Sequence, residues 1–196
     1  MRFTVGGVPD EPSIDVHDPR VLRALAHPLR NALLGLLRSE GPSTASKLGQ
    51  RLGESSGSTS YHLRQLAALG FVEEVPGGSA RERWWQARHR STRWQTDEVI
   101  ERPGGREVVE EFTHLSLSMQ RRMLAAHAEQ REDLDPEWRD ATSLNDWGLH
   151  LSPAAARELA EELNGVLRRW RAEREERAQP LVSVLVDVFR LGEYPS

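Results

Sequence analysis

Between Ala45 and Ala87 the apolar residues change their spacing, and that change restricts the folds open to this chain more than any bulk property does. Up to Leu69 they recur at helical intervals, with Ala45, Leu48 and Leu52 on one stripe, then Thr59, Leu63 and Leu66 at i, i+4 and i+7. Ser43 or Thr44, and then Ser55, stand where N-caps are needed, while Gly53 and Gly70 stand where helices stop. Beyond Gly70 the period falls to two. FVEEV and RERWWQA are β-type runs joined by Pro76-Gly77-Gly78-Ser79-Ala80, the makings of a hairpin with a permissive, polar tip.

Upstream, Asp18-Pro19 opens a helix with Val21, Leu22, Leu25 and Ala26 on one stripe, ending near His27-Pro28. Leu29 to Ser39 forms a second, turning Leu29, Leu33, Leu36 and Leu37 to a core before Gly41-Pro42 closes it. Short helices followed by a hairpin is the element order of a winged helix-turn-helix. Residues 1–17 show no sustained period and read as a mobile N-terminal arm.

Periodicity lapses from Asp97 to Arg106, where Pro103-Gly104-Gly105 marks a boundary. A long helix from about Glu107 to Arg131 then sets Val108, Phe112, Leu115, Met119 and Met123 at spacings of four, three, four and four. That seam exceeds what one small domain needs and predicts a partner helix in a homodimer. Trp147, Leu149 and Leu151 alternate with polar residues like a half-buried strand. Ser152-Pro153 starts a helix carrying Leu159, Leu163, Val166, Leu167 and Trp170, and LVSVLVDVF after Pro180 suits a buried strand. The expected fold class is mainly α with small β (α+β). It comprises a winged helix-turn-helix over 18–95, then a long dimerisation helix and a small C-terminal βαβ-like unit within an effector-binding region, 96–196.

The formal net charge of -4 conceals two opposite halves. Residues 18–95 hold 12 basic and 6 acidic side chains, a net +6, whereas residues 96–196 hold 13 basic and 21 acidic, a net −8. A basic segment ahead of an acidic one suggests that the first meets a polyanion and the second stays clear of it. With no cysteine, the chain has no disulfide, thiol catalysis or thiolate metal site. It opens without the apolar run of a secretory signal and contains no run approaching 18 apolar residues, so the expected location is cytoplasmic and no membrane partner is expected.

The stretch LGQRLGESSGSTSYHLRQLAALGFVEE carries the most specific information. Leu48, Leu52, Gly53 and Ser55, then Ser60, His62, Leu63 and Leu66, then Gly70-Phe71-Val72, fall in the pattern of a helix-turn-helix running into a wing, and ALAHPLRNALLGLL lies upstream. Over about residues 18–90 the chain resembles the ArsR/SmtB family of winged-helix repressors. That resemblance implies a dimeric, sequence-specific DNA-binding transcriptional regulator, most often a repressor.

The residues agree on physical grounds. Opposite Thr59, Leu63 and Leu66 the fourth helix carries Ser56, Gly57, Ser58, Ser60, Tyr61 and Arg64, small and polar where the helix enters, which permits close approach to the major groove of double-stranded DNA. Arg64 suits a guanine edge or a phosphate, Ser60 and Tyr61 suit polar contacts, and His62 reaches either the backbone or the core. Arg81 and Arg83 flank the wing tip, and Trp84 and Trp85 point to opposite faces of its strand.

Relatives in the resembled family sense metals through cysteine pairs or Asp/His/Glu sets, and this sequence departs from both patterns. His114 and His127 lie 13 residues apart on the long helix, too far to share an ion within one chain. The expected effector is a small organic molecule in an apolar pocket lined by Phe112, Met119, Trp138, Trp147 and Trp170, with no metal and no cofactor. The sequence has no nucleophile elbow, phosphate loop or zincin His pair, so an enzyme is not expected. The rival reading is a winged-helix protein–protein interaction module without sequence-specific DNA binding.

Overall fold

Proline and small polar residues set the helix starts. In a computed structural model that describes residues 2–5, 12–77, 82–174, 179–190 and 192, helices α1 (Pro19–Leu25) and α2 (Pro28–Glu40) both begin on proline. There the missing N–H costs nothing and φ is already helical. Asp18 caps α1 by accepting from the Arg20 N–H. Thr44 caps α3 (Ala45–Leu52), Ser55 caps α4 (Ser56–Ala68), and Gly53 closes α3 at φ 68, a left-handed turn that favours glycine.

The chain divides into two compact units, Met1–Ser118 and Met119–Ser196. In the first, α1 to α4 lead into strands β4 (Val72–Val75) and β5 (Trp84–Ala87), which pair antiparallel with Val75 opposite Trp84. The short strand β3 (Ser43–Thr44) adds to the other edge of β5, tying the start of α3 to the wing. Leu33, Leu34 and Leu37 of α2, Leu48 of α3, Leu63 and Leu66 of α4, and Phe71, Val72 and Trp85 of the wing form one buried cluster. Of the adjacent tryptophans, Trp85 is core while Trp84 is half-buried under the Lys47 ammonium, 4.7 Å from the ring centroid.

A second small sheet takes in two stretches of the segment expected to be a mobile N-terminal arm. Strand β6 (Ser91–Gln95) is its centre, flanked by β1 (Arg2–Val5), antiparallel, and β2 (Ser13–Asp15), parallel. Backbone pairing needs no apolar period, so spacing gave no sign of it. The first unit also continues past residue 95. Helix α5 (Thr96–Ile100) buries Val99, and the long α6 (Gly105–Gln130) buries Val108 and Phe112 in the same cluster, with Phe112 meeting Trp94 edge-on at 4.8 Å between centroids. The start of the long seam therefore packs on its own chain. Farther along, Leu115 and Met119 are half-exposed and Met123 is 44% exposed.

The second unit holds the end of α6, a 3-10 turn at Arg131–Asp133, α7 (Pro136–Ala141) and α8 (Pro153–Arg174). Among its described residues there is neither a strand nor a buried side chain, so the βαβ-like unit is corrected to helices with irregular segments. Trp147 is 84% exposed, and 181–190 has no regular secondary structure, with Leu181 and Phe189 exposed. Alternation and β-branching describe what a strand tolerates. A strand also needs a neighbour to take its hydrogen bonds, and two strands alone are marginal. The mainly helical fold class with a small sheet holds.

Candidate nucleic-acid interface

The turn between α3 and α4 fixes how the fourth helix is presented. The Glu54 N–H donates to the Gly49 carbonyl at 2.8 Å, and the Thr59 hydroxyl donates to the Ser55 carbonyl at 3.0 Å. A Cβ at Gly49 would stand 2.7 Å from the Glu54 carbonyl oxygen, so only glycine permits this closeness of the two helices. Thr59, Leu63 and Leu66 are fully buried, which turns Ser56, Gly57, Tyr61 and Arg64 outward, with Ser58 and Ser60 half-buried at the edge of that face.

Ser56, Ser60 and Arg64 line a cleft of about 370 Å³ together with Arg83, Glu82 and Trp85 of the wing and Thr44, Ala45 and Ser46 at the start of α3. The structure thus brings four of the sequence-predicted residues to one concave surface: Ser56, Ser60, Arg64 and Arg83. The three residues at the α3 N-terminus were missed in that role, although the Ser/Thr capping signal that starts the helix marks the same place. Arg83 pairs with Glu74 at 2.9 Å across the wing, both side chains being well exposed, so the guanidinium is loosely held and free to exchange partners. Arg81 lies outside the described residues.

His62 is placed differently from its neighbours on α4. Its ring packs against His27, at the α1–α2 turn, with centroids 4.5 Å apart, and Tyr61 meets it edge-on. The Nδ1 atoms of both histidines are buried without a hydrogen-bond partner. Burial, reinforced by the nearby Arg30, holds both imidazoles below the ordinary range, with His27 adding to the effect on His62; burial does the same to His89, beside Arg88 and Arg38. The folded chain keeps these rings neutral where the unfolded chain protonates them. Their contribution to stability is therefore level above the ordinary imidazole value of about 6.5, and declines as the pH falls below it toward the folded-state values. Chemical denaturation should show a lower unfolding free energy at about pH 5.5 than at about pH 7.5, and His27→Asn/His62→Asn should flatten that difference. An unchanged slope in the double variant would show that the pair does not carry it.

The five residues expected to line an effector pocket are divided between the two units. Phe112 is buried against Trp94 in the first unit, whereas in the second Trp147 and Trp170 are exposed and Met119 and Trp138 are half-buried. The larger cleft of the first unit, about 640 Å³, is lined by Ala26, Pro28, Glu107, Glu110, Glu111, His114 and Leu115 and includes none of the five. Among the described residues no group of three or more His, Asp or Glu side chains could hold a metal ion, and no helix is long and apolar enough to cross a membrane.

Residues 25–75 match the family model of a helix-turn-helix domain, and no curated protein matches the chain. Three solved structures are similar at low identity. Apo ZitR from Lactococcus lactis is 14% identical over 72% of this chain and 83% of its own, with a TM-score of 0.33. The transcriptional regulator Tm0710 from Thermotoga maritima is 18% identical over 76% and 82%, with a TM-score of 0.30. RV1404 from Mycobacterium tuberculosis is 17% identical over 74% and 84%, also with a TM-score of 0.30. The helix-turn-helix match falls on the helices that build the cleft and supports a DNA-binding transcriptional regulator.

Proposed function

We propose that this chain is a sequence-specific transcriptional regulator of the ArsR/SmtB type that binds double-stranded DNA as a homodimer and acts as a repressor, released by a small organic effector. The observation that carries the reading is the shared cleft, in which Arg64 of α4 and Arg83 of the wing flank the small, polar entry of α4. An α-helix fits the major groove, a guanidinium reads a guanine edge, and the wing arginine reaches the adjacent backbone. Ser56, Gly57, Ser58, Ser60 and Tyr61 supply the close polar approach; His62 supports the helix from behind.

Charge favours the same reading, since the segment holding the cleft is net basic while the segment beyond it is net acidic. A dimer places two recognition helices about one DNA turn, roughly 34 Å, apart on a pseudo-palindromic site. For the effector, the cysteine-free sequence and the 13-residue separation of His114 from His127 favour an organic molecule over a metal.

Titration of labelled duplex carrying the DNA upstream of the chain's own gene tests the proposal. With about six phosphates neutralised per subunit, affinity should fall by on the order of 10³-fold or more between about 50 and 200 mM salt. Weak binding indifferent to salt would instead favour the protein-interaction module.

A further inference from the structure

Helix α8 carries a heptad whose later positions stay exposed among the described residues. Ala156, Leu159, Leu163, Val166 and Trp170 follow one another at intervals of three, four, three and four, the a/d spacing of a two-stranded coiled coil. Leu163 is 38% exposed, Val166 39% and Trp170 64%, while Ala156 and Leu159 are half-buried, and among the described residues of the second unit no helix makes extensive contact with α8. A helix of 22 residues gains most of its stability in a protein from packing its apolar face, so this seam calls for a partner.

The charges beside the seam identify the partner. Residues 153–164 carry Arg157 against Glu158, Glu161 and Glu162, whereas residues 165–174 carry Arg168, Arg169, Arg171 and Arg174 against Glu173. The helix is acidic in its first half and basic in its second, which makes it complementary to itself in the antiparallel sense. In heptad terms Glu162 and Arg169 are successive g positions, and antiparallel pairing sets g against g. The same register stacks Leu163 on Val166 and Leu159 on Trp170, and brings Leu167 toward Ala160. Parallel pairing would instead set Arg169 at g against Arg174 at e and lay each charged half on its like.

We propose that α8 pairs antiparallel with α8 of a second copy of this chain, with Glu162 of each copy facing Arg169 of the other. The pairing specifies where the homodimer of the preceding subsection is joined and rests on that reading. By two-fold symmetry every contact occurs twice, so one charge reversal turns two attractions into two repulsions. Such changes on an exposed helix face leave folding intact.

Sedimentation of the full chain, with circular dichroism to confirm helicity, tests the pairing. Glu162→Arg alone and Arg169→Glu alone should each weaken the dimer about tenfold, and the combined Glu162→Arg/Arg169→Glu should restore it to within about threefold. A dimer indifferent to all three substitutions would overturn the α8 interface while leaving the dimer itself standing. A double variant no tighter than the single ones would overturn the antiparallel register. A wild-type chain that remains a monomer at about 100 µM would overturn the homodimer together with this interface.

Discussion

The double substitution Arg64→Glu/Arg83→Glu is expected to abolish sequence-specific DNA binding while leaving the helix-turn-helix folded. Both side chains line the same cleft and neither belongs to the buried cluster, so the packing of Leu63, Leu66 and Trp85 behind them is untouched. A guanidinium in two-pronged contact with a base contributes about 1–3 kcal/mol of discrimination. Reversal also sets a carboxylate against phosphates, adding repulsion to the lost contact. Over two subunits the combined effect should exceed about 10³-fold in affinity. At the wing the introduced carboxylate would face Glu74 where Arg83 now pairs with it, but an exposed pair of this kind contributes about 1 kcal/mol or less, too little to explain lost binding by unfolding. Fluorescence anisotropy on specific and scrambled duplexes, with a thermal melt beside it, separates the two effects. Affinity within about threefold of wild type would remove this cleft as the DNA site.

The second large effect concerns stability. Trp94→Ala should lower the unfolding free energy by about 3–5 kcal/mol, because it empties a buried volume where β6 meets α6. Trp94 is 3% exposed and stands edge-on to Phe112, with ring planes 76° apart. Natural domains have only about 5–15 kcal/mol in total, so the variant should unfold at markedly lower urea concentration. Against Phe112→Ala, a double-mutant cycle should return a coupling of about 0.5–1.5 kcal/mol for the ring pair. A loss below about 1 kcal/mol for Trp94→Ala would mean that β6 and the start of α6 do not share the core.

The parts that could be read in the sequence were those in which residue type and backbone conformation determine each other locally. Asp18-Pro19, Thr44, Ser55, Gly53 and Gly70 act where caps and stops are required, and the buried stripe of Thr59, Leu63 and Leu66 leaves the opposite face of α4 for contact. Strand β6 and its two neighbours were hidden because their pairing joins residues far apart in the chain, Arg2 with Gln95 and Ser13 with Ser91. In the 181–190 run the composition suits a strand, and among the described residues no strand pairs with it. Of the candidate contact residues, Arg64 and Arg83 were legible from position alone. The ring contact of His62 with His27 was not, since it depends on how the α1–α2 turn meets α4.

DNA reading is the role we propose for the α3–α4 pair and its wing. Chemical footprinting of the purified chain on the DNA upstream of its own gene tests this most directly. Two protected half-sites centred about one helical turn apart, both lost with Arg64→Glu/Arg83→Glu, are the result predicted. Protection that is absent, or that persists unchanged in the double variant, would contradict it.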